Sequence, residues 1–248
     1  MGGAPCPRAP LQAGAPRQPA RKETAPMTRA LVAERRAPRS GEVRAAVILL
    51  HGYGANGADL IGLADVLADY MPDTLFLAPD APERCIGTPF GLQWFPIPWI
   101  DGSSEEMAFE GLLRAAGDVQ AFLDGVMVDE DLLPEQVVLF GFSQGTMMAL
   151  HVAPRRDEAV AGVVAFSGRL LEPELLADEA LCRPAVLLIH GDADEVVPPQ
   201  ALPQAAEALQ KAGWTEVYAH VMKGTGHGIA DDGLAVALAF MRQRLGMD

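Results

Sequence analysis

Six short, continuous apolar runs, at residues 45–50, 75–78, 137–140, 162–166, 185–190 and 217–221, constrain this chain most. Runs without a polar face mark strands covered on both sides. Between them, apolar residues recur at helical spacing. Leu60, Leu63, Leu67 and Tyr70 share one face over residues 59–70. Leu112, Ala116, Val119, Leu123 and Val126 do so over residues 105–127, behind a capping box of Ser103 and Glu106. Further helices are expected at 146–153, stopped by Pro154, and at 199–212 and 233–245, ended by Gly213 and Gly246. Residues 30–33 read as a short edge strand. Strand–helix alternation without an internal repeat predicts a three-layer α/β fold with a mostly parallel central sheet.

A chain of 248 residues is long enough for such a core. Residues 1–26 are different: six prolines, six alanines and one leucine leave no apolar face. They are expected to be a disordered basic extension, with Met27 as a functional start and residues 27–248 as one α/β domain. Charge is split accordingly, +6 over residues 1–44 (nine Lys/Arg, three Asp/Glu) and −20 over residues 45–248 (ten against thirty). The acidic body argues against nucleic acid and against anionic acyl-CoA, and favours a neutral or cationic substrate. No apolar run approaches the ~18 residues of a membrane span, so no membrane insertion is expected. Three scattered cysteines, Cys6, Cys85 and Cys182, suit a reducing, cytoplasmic setting better than a disulfide framework.

In open α/β sheets the reactive groups collect beyond the carboxyl ends of the strands. The run at 137–140 enters Gly141-Phe142-Ser143-Gln144-Gly145 and then a helix, which is the strand–turn–helix context of a nucleophile elbow. A serine hydroxyl needs an imidazole to take its proton and a carboxylate to orient that imidazole, here in the chain order Ser, Asp/Glu, His. After Ser143, the run at 185–190 ends in Gly191-Asp192-Ala193-Asp194, and the run at 217–221 is followed by Gly226-His227-Gly228. His227 is the candidate base. Asp192 and Asp194 compete for the acid, one of them being a turn former. His51 and His190 close strands and read as turn-stabilising; His151 reads as structural and His220 as a packed or surface residue. The oxyanion donors expected are the N–H groups of Gln144 and of Tyr53, in His51-Gly52-Tyr53-Gly54. Such a donor is typically worth about 3–4 kcal/mol in the transition state.

Together, Leu49-Leu50-His51-Gly52-Tyr53-Gly54, Gly141-Phe142-Ser143-Gln144-Gly145, His190-Gly191-Asp192-Ala193-Asp194-Glu195-Val196-Val197-Pro198 and Gly226-His227 resemble the phospholipase/carboxylesterase family of α/β-hydrolases. That family includes bacterial carboxylesterases and acyl-protein thioesterases. The resemblance spans about residues 30–248 and implies the α/β-hydrolase fold. It favours Asp194 as the acid, supports Tyr53 and Gln144 as oxyanion donors, and likens Gln93-Trp94-Phe95 to an element beside the acyl pocket. Pro96 replaces an aspartate common in that family. Thr146 replaces a second glycine of the eukaryotic thioesterases, which speaks more against thioesterase than against esterase activity.

The loop at residues 86–104 is rich in aromatics and proline, and Phe90, Trp94 and Trp99 are expected as partial pocket walls. Only 51 positions separate Ser143 from Asp194, which leaves no room for a lid domain. The reading is therefore a serine carboxylesterase for small, short-chain esters, working through Ser143, Asp194, His227 and an acyl-enzyme. It needs no metal or cofactor and is compatible with a homodimer. A lysophospholipase or acyl-thioesterase would use the same three residues. A dienelactone-type hydrolase would usually carry Cys at the elbow. A silent receptor would have lost a member of the set, and none is missing.

Overall fold

The computed structural model describes residues 28–85 and 90–247. The expected extension over residues 1–26 and the Met27 start lie outside the described residues. In chain order the elements are β1 (Ala33–Arg36), β2 (Ala45–Leu50), α1 (Gly57–Ile61), α2 (Leu63–Leu67), β3 (Thr74–Pro79), β4 (Glu83–Arg84) and β5 (Leu92–Gln93). There follow α3 (Pro98–Asp101), α4 (Glu105–Asp129), β6 (Val137–Phe142), α5 (Gln144–Val152), β7 (Gly162–Phe166), α6 (Leu176–Glu179), β8 (Val186–Gly191), α7 (Ala201–Lys211), β9 (Val217–Met222) and α8 (Asp231–Arg244).

Seven strands form one sheet in the order β1-β3-β2-β6-β7-β8-β9. All neighbours are parallel except β1, which runs antiparallel to β3 at one edge. Its residues, Ala33–Arg36, begin where the expected edge strand over 30–33 ends. β4 and β5 form a separate small hairpin. Every residue of β2, β3, β7 and β8 is buried, because alternate side chains enter two different cores. Ile48, Leu50, Leu139 and Leu188 face the core that includes Leu112, Val119 and Leu123 of α4 and Met148 of α5. Val47, Leu49, Phe140 and Phe166 face the core closed by Leu60, Leu67 and the α8 residues Phe240 and Met241.

The helices keep the expected faces with local departures. The stretch over 59–70 is two short helices divided at Gly62, the residue of least helical preference in that stretch. α1 starts two residues earlier than expected because Asn56 and Asp59 cap each other's amides. Helical structure stops at Leu67, so Tyr70 is 56% exposed rather than part of the buried face. In α4 the whole stripe from Leu112 to Val126 is buried as expected. Its cap, however, is Ser104, which accepts from Met107 N at 3.1 Å. The Ser103–Glu106 box does not form, because Ser103 N is taken by Asp101 Oδ1 at 2.9 Å. β9 is an edge strand rather than a covered one: it pairs only with β8 and exposes Tyr218 and Val221. His220 on β9 meets Asp232 Oδ2 at 2.8 Å.

Ahead of β1, the chain is fastened to the middle of α4. Asp118 is 2% exposed and accepts Arg29 N at 2.7 Å and Arg29 Nε at 2.8 Å, while Glu83 accepts Arg29 Nη1 at 3.0 Å. Asp118→Ala leaves the Arg29 amide without its acceptor and the guanidinium with Glu83 alone. It is expected to lower stability by about 1–3 kcal/mol, read as a shift in the urea unfolding midpoint. An unshifted midpoint would show that water replaces the carboxylate.

Candidate active site

β6 delivers Ser143 into a turn that L-residues seldom adopt, with φ 55° and ψ −114°. Two glycines make this turn possible by close approach. A Cβ on Gly145 would lie 1.8 Å from the Leu50 carbonyl oxygen, and one on Gly141 would lie 2.5 Å from Gly145 O and the Thr146 backbone. α5 therefore starts hard against the ends of β2 and β6. Thr146, where a glycine would loosen the turn, is 1% exposed and sets its hydroxyl 2.8 Å from Gly141 O and 2.7 Å from Phe166 O. Ser143 N donates to Phe166 O at 2.9 Å.

Three sequence-distant side chains meet above this turn. His227 Nε2 lies 3.0 Å from Ser143 Oγ, and His227 Nδ1 lies 2.8 Å from Asp194 Oδ2. The ring packs against Phe142 with centroids 5.0 Å apart. Asp194 is 4% exposed. Its Oδ1 accepts the Val196 and Val197 amides, both at 2.9 Å, and its Oδ2 is also 3.3 Å from His190 Nε2. Burial works to raise the Asp194 carboxyl, but the His227 bond and the Val197 and Val196 amides outweigh it and hold it below the ordinary carboxylate range. The competing Asp192 serves the loop instead, accepting Gly224 N at 2.6 Å and meeting Lys223 Nζ at 3.3 Å. A hydroxyl, an imidazole and a carboxylate in this row have the geometry that nucleophilic acyl transfer requires.

His51 and His190 support backbone. His51 Nε2 accepts Ala81 N at 3.0 Å while Nδ1 donates to Gly52 O at 2.8 Å, which fixes the neutral Nδ1–H form. Burial pushes the His51 imidazole down, in keeping with that form. His190 Nε2 donates to Val197 O at 2.9 Å. His151 is buried in α5 and pushed down to about 4, chiefly by that burial.

A groove of about 270 Å³ contains Ser143 and His227, with Tyr53, Trp99, Met147 and Val197 among its walls. Of the three expected aromatic walls only Trp99 is in place. Trp94 is wholly buried: its indole N–H donates to His51 O at 2.9 Å and its ring lies 5.3 Å from the His51 ring. It braces the loop after β2 from below instead of facing a ligand. Phe90 is 85% exposed and is not part of the groove lining. Tyr53 lines the groove, next to Gly52, where a Cβ would stand 3.2 Å from Ser143 Cβ. Gln144 opens α5, so its amide is one that a helix leaves without an internal acceptor.

The side chain of Gln144 has a second task that the motif did not reveal. Fully buried, it accepts Trp94 N at 3.0 Å through Oε1 and donates to Phe95 O at 2.7 Å through Nε2. It thus acts as a one-residue strand partner for the 94–95 backbone. The only sequence signal for this was the amide side chain itself, able to donate and accept at once.

The phospholipase/carboxylesterase family model matches residues 33–245. The chain belongs to the phospholipase/carboxylesterase family. Its sheet and flanking helices are those of an α/β-hydrolase, and its enzyme class is carboxylic ester hydrolase. The crystal structure of esterase PE8 superposes with a TM-score of 0.82 at 41% identity, covering 87% of this chain and all (100%) of that one. Acyl-protein thioesterase 1 of Gibberella zeae is 27% identical over 224 residues, 84% of this chain and 94% of its own. Esterase YpfH of Escherichia coli is 27% identical over 199 residues, 79% of this chain and 81% of its own.

Gln144→Ala strands the buried Trp94 amide and Phe95 carbonyl. The expected cost is about 2 kcal/mol or more, measured by thermal or urea unfolding. Retention of full stability would mean that the 94–95 segment holds itself.

Proposed function

We propose that this enzyme hydrolyses small, short-chain carboxylic esters through a Ser143–His227–Asp194 triad and an acyl-enzyme. The observation that carries the reading is the unbroken chain Asp194–His227–Ser143, at 2.8 and 3.0 Å, opening into a groove of about 270 Å³. Ser143 Oγ attacks the ester carbonyl carbon as His227 Nε2 takes its proton. Asp194 holds the Nδ1–H tautomer and stabilises the imidazolium. The amides of Tyr53 and Gln144 receive the oxyanion. Collapse expels the alcohol, which leaves with the proton from His227. Water activated by the same ring then attacks the acyl-enzyme, releasing the acid and restoring Ser143. The groove lies below the usual 300–1,000 Å³ of drug-sized ligand pockets, which supports short acyl and alcohol arms. The free thiols Cys85 and Cys182 support a reducing, cytoplasmic setting. We place this activity in residues 27–248, so a chain lacking residues 1–26 keeps its kcat/KM and Tm.

A second reading has a specific basis: Gibberella zeae and Saccharomyces cerevisiae relatives are named acyl-protein thioesterase 1. The same residues would accept a thioester, since thiolate is the better leaving group and the oxyanion is common to both reactions. Rates on p-nitrophenyl esters of increasing acyl length, set beside matched thioesters, rank the two readings.

Ser143→Ala is expected to abolish both turnover and labelling by a fluorophosphonate probe while leaving Tm unchanged. Continued labelling of the variant would place the nucleophile elsewhere. Asp194→Asn stabilises the wrong imidazole tautomer, and in the Ser-His-Asp template that change costs about 10⁴-fold in kcat.

The pH dependence has a definite sign. Imidazolium cannot accept the serine proton, so kcat/KM falls as acid protonates His227. Asp194, held below the ordinary carboxylate range, remains ionised throughout that fall. Its own contribution to stability is present above the unfolded carboxylate value and disappears only when pH drops through its lowered folded value. The acid-side loss of kcat/KM should therefore follow one protonation, which is not that of Asp194. A flat profile excludes His227 as the base.

A further inference from the structure

The proposed serine mechanism leaves one strongly charged member of the groove unused. Arg169 follows β7 on the loop at the carboxyl edge of the sheet and lines the same cavity of about 270 Å³ as Ser143 and His227. It also borders an adjoining recess of about 80 Å³ and a cavity of about 590 Å³, so it stands where the three spaces meet. Its Cζ lies 4.9 Å from the centroid of the Trp99 ring. The cation thus sits over an aromatic face, a favourable contact that uses none of its N–H groups, and the residue is exposed to the groove.

Several arginines elsewhere have carboxylate partners: Arg35 meets Glu130 at 2.8 Å, Arg39 meets Asp69 at 2.6 Å and Arg155 meets Glu179, whereas Arg183, over the Trp214 ring, spends its Nε on Ala212 O. Arg169 forms no ion pair among the described residues. Its neighbours in the groove include Ile97, Trp99, Ile100, Val196 and Val197, which offer it no anion. Glu172 and Glu105 line the adjoining recess, and Glu174 stands beside Glu172. Burial, then the hydrogen bond and charge of Glu174, push the Glu172 carboxyl up, while the Arg169 charge pulls the other way. A guanidinium in this position is matched by a bidentate carboxylate.

We propose that Arg169 is the selectivity-determining residue of this groove and binds a carboxylate on the substrate, so that the preferred esters are short and anionic. The charge sits on the acyl arm, as in a half-ester of a dicarboxylic acid, or on the alcohol arm, as in an acyl ester of a hydroxy acid. This rests on the Ser143 reading and extends it to substrate class. The −20 charge of residues 45–248 does not oppose it at contact range. Repulsion from distant carboxylates is screened over about 8 Å at physiological ionic strength, whereas a bidentate guanidinium–carboxylate pair acts at hydrogen-bond distance; because Arg169 is exposed, that pair still weakens with salt.

The test uses the full chain and substrate pairs that differ only in charge. For the acyl arm these are p-nitrophenyl hemiadipate and its terminal amide; for the alcohol arm, 4-acetoxybutyrate and 4-acetoxybutyramide. The expected result is a preference for the carboxylate in one arm, expressed as a ratio of kcat/KM values. That ratio falls at least tenfold in Arg169→Gln, mainly through KM, and recovers in part in Arg169→Lys. Raising salt should lower the wild-type ratio and leave that of the glutamine variant unmoved. An unchanged ratio in both arms overturns the proposal. So does an equal loss on charged and neutral esters accompanied by a lower Tm, which would mean that Arg169 only offsets Glu172 and Glu174. Wild-type enzyme that hydrolyses both members of each pair equally refutes the role of Arg169 and leaves the Ser143 reading standing. Wild-type enzyme that hydrolyses none of the four overturns both.

Discussion

The meeting of α5 with the end of β2 governs the rest of the molecule. At Gly145 the two backbones are so close that a methyl group would sit 1.8 Å from Leu50 O. This contact forces Ser143 to φ 55°, a conformation that typically costs about 1–3 kcal/mol. The strain persists because the turn is held from several sides. β7 takes the Ser143 amide through Phe166 O, Thr146 binds both Gly141 O and Phe166 O, and the Cβ position of Gly168 is filled by Thr146. Two fully buried strands and a fully buried helix thus lift one hydroxyl above the sheet edge.

What surrounds that hydroxyl is fixed by polar groups with few alternatives. Buried donors and acceptors must find partners, and here they find them across segments far apart in sequence. Gln144 joins α5 to residues 94 and 95; Trp94 joins those to His51 O; His51 joins the loop after β2 to Ala81. The loop carrying Tyr53 is tied in this way to the helix carrying Gln144, and the separation of their two amides is set by the network rather than by either loop alone. Asp194 is held in a similar manner, with Val196 and Val197 fixing one oxygen and leaving the other for His227. A carboxylate so held orients the imidazole without itself needing to move.

The sheet was legible because a strand covered on both faces has no polar positions, and residues 45–50 or 162–166 have none. The turn at Ser143 was legible because only small residues fit where Gly141 and Gly145 stand. The choice between Asp192 and Asp194 was not readable from periodicity. It depends on which carboxylate the Val196 and Val197 amides enclose, a property of the chain after the aspartates, and only the family resemblance pointed to Asp194. Trp94 was misjudged for a related reason. A tryptophan in a proline-rich loop looks the same whether its ring lines a groove or lies under it, and the decisive partner, His51 O, is 43 positions away. At α4 the expected cap, Ser103, gives way to Ser104, because Asp101 engages the Ser103 amide. These departures share a cause: side-chain to backbone bonds between remote segments leave no periodic trace.

Charge shows the same divide between whole-chain and local properties. The acidic body acts over distance, where ions screen it, and its main effect falls on encounter and departure rather than on contact. Ester hydrolysis releases a carboxylic acid that is ionised at neutral pH, so each turnover adds a negative charge to what occupies the groove. A negative surrounding field therefore favours departure of product over its retention. Within the groove a single arginine acts by contact, through oriented N–H groups next to apolar walls. The two influences do not compete at the same range. Net charge describes how molecules arrive and leave, and the side chains beside Ser143 determine what is held there.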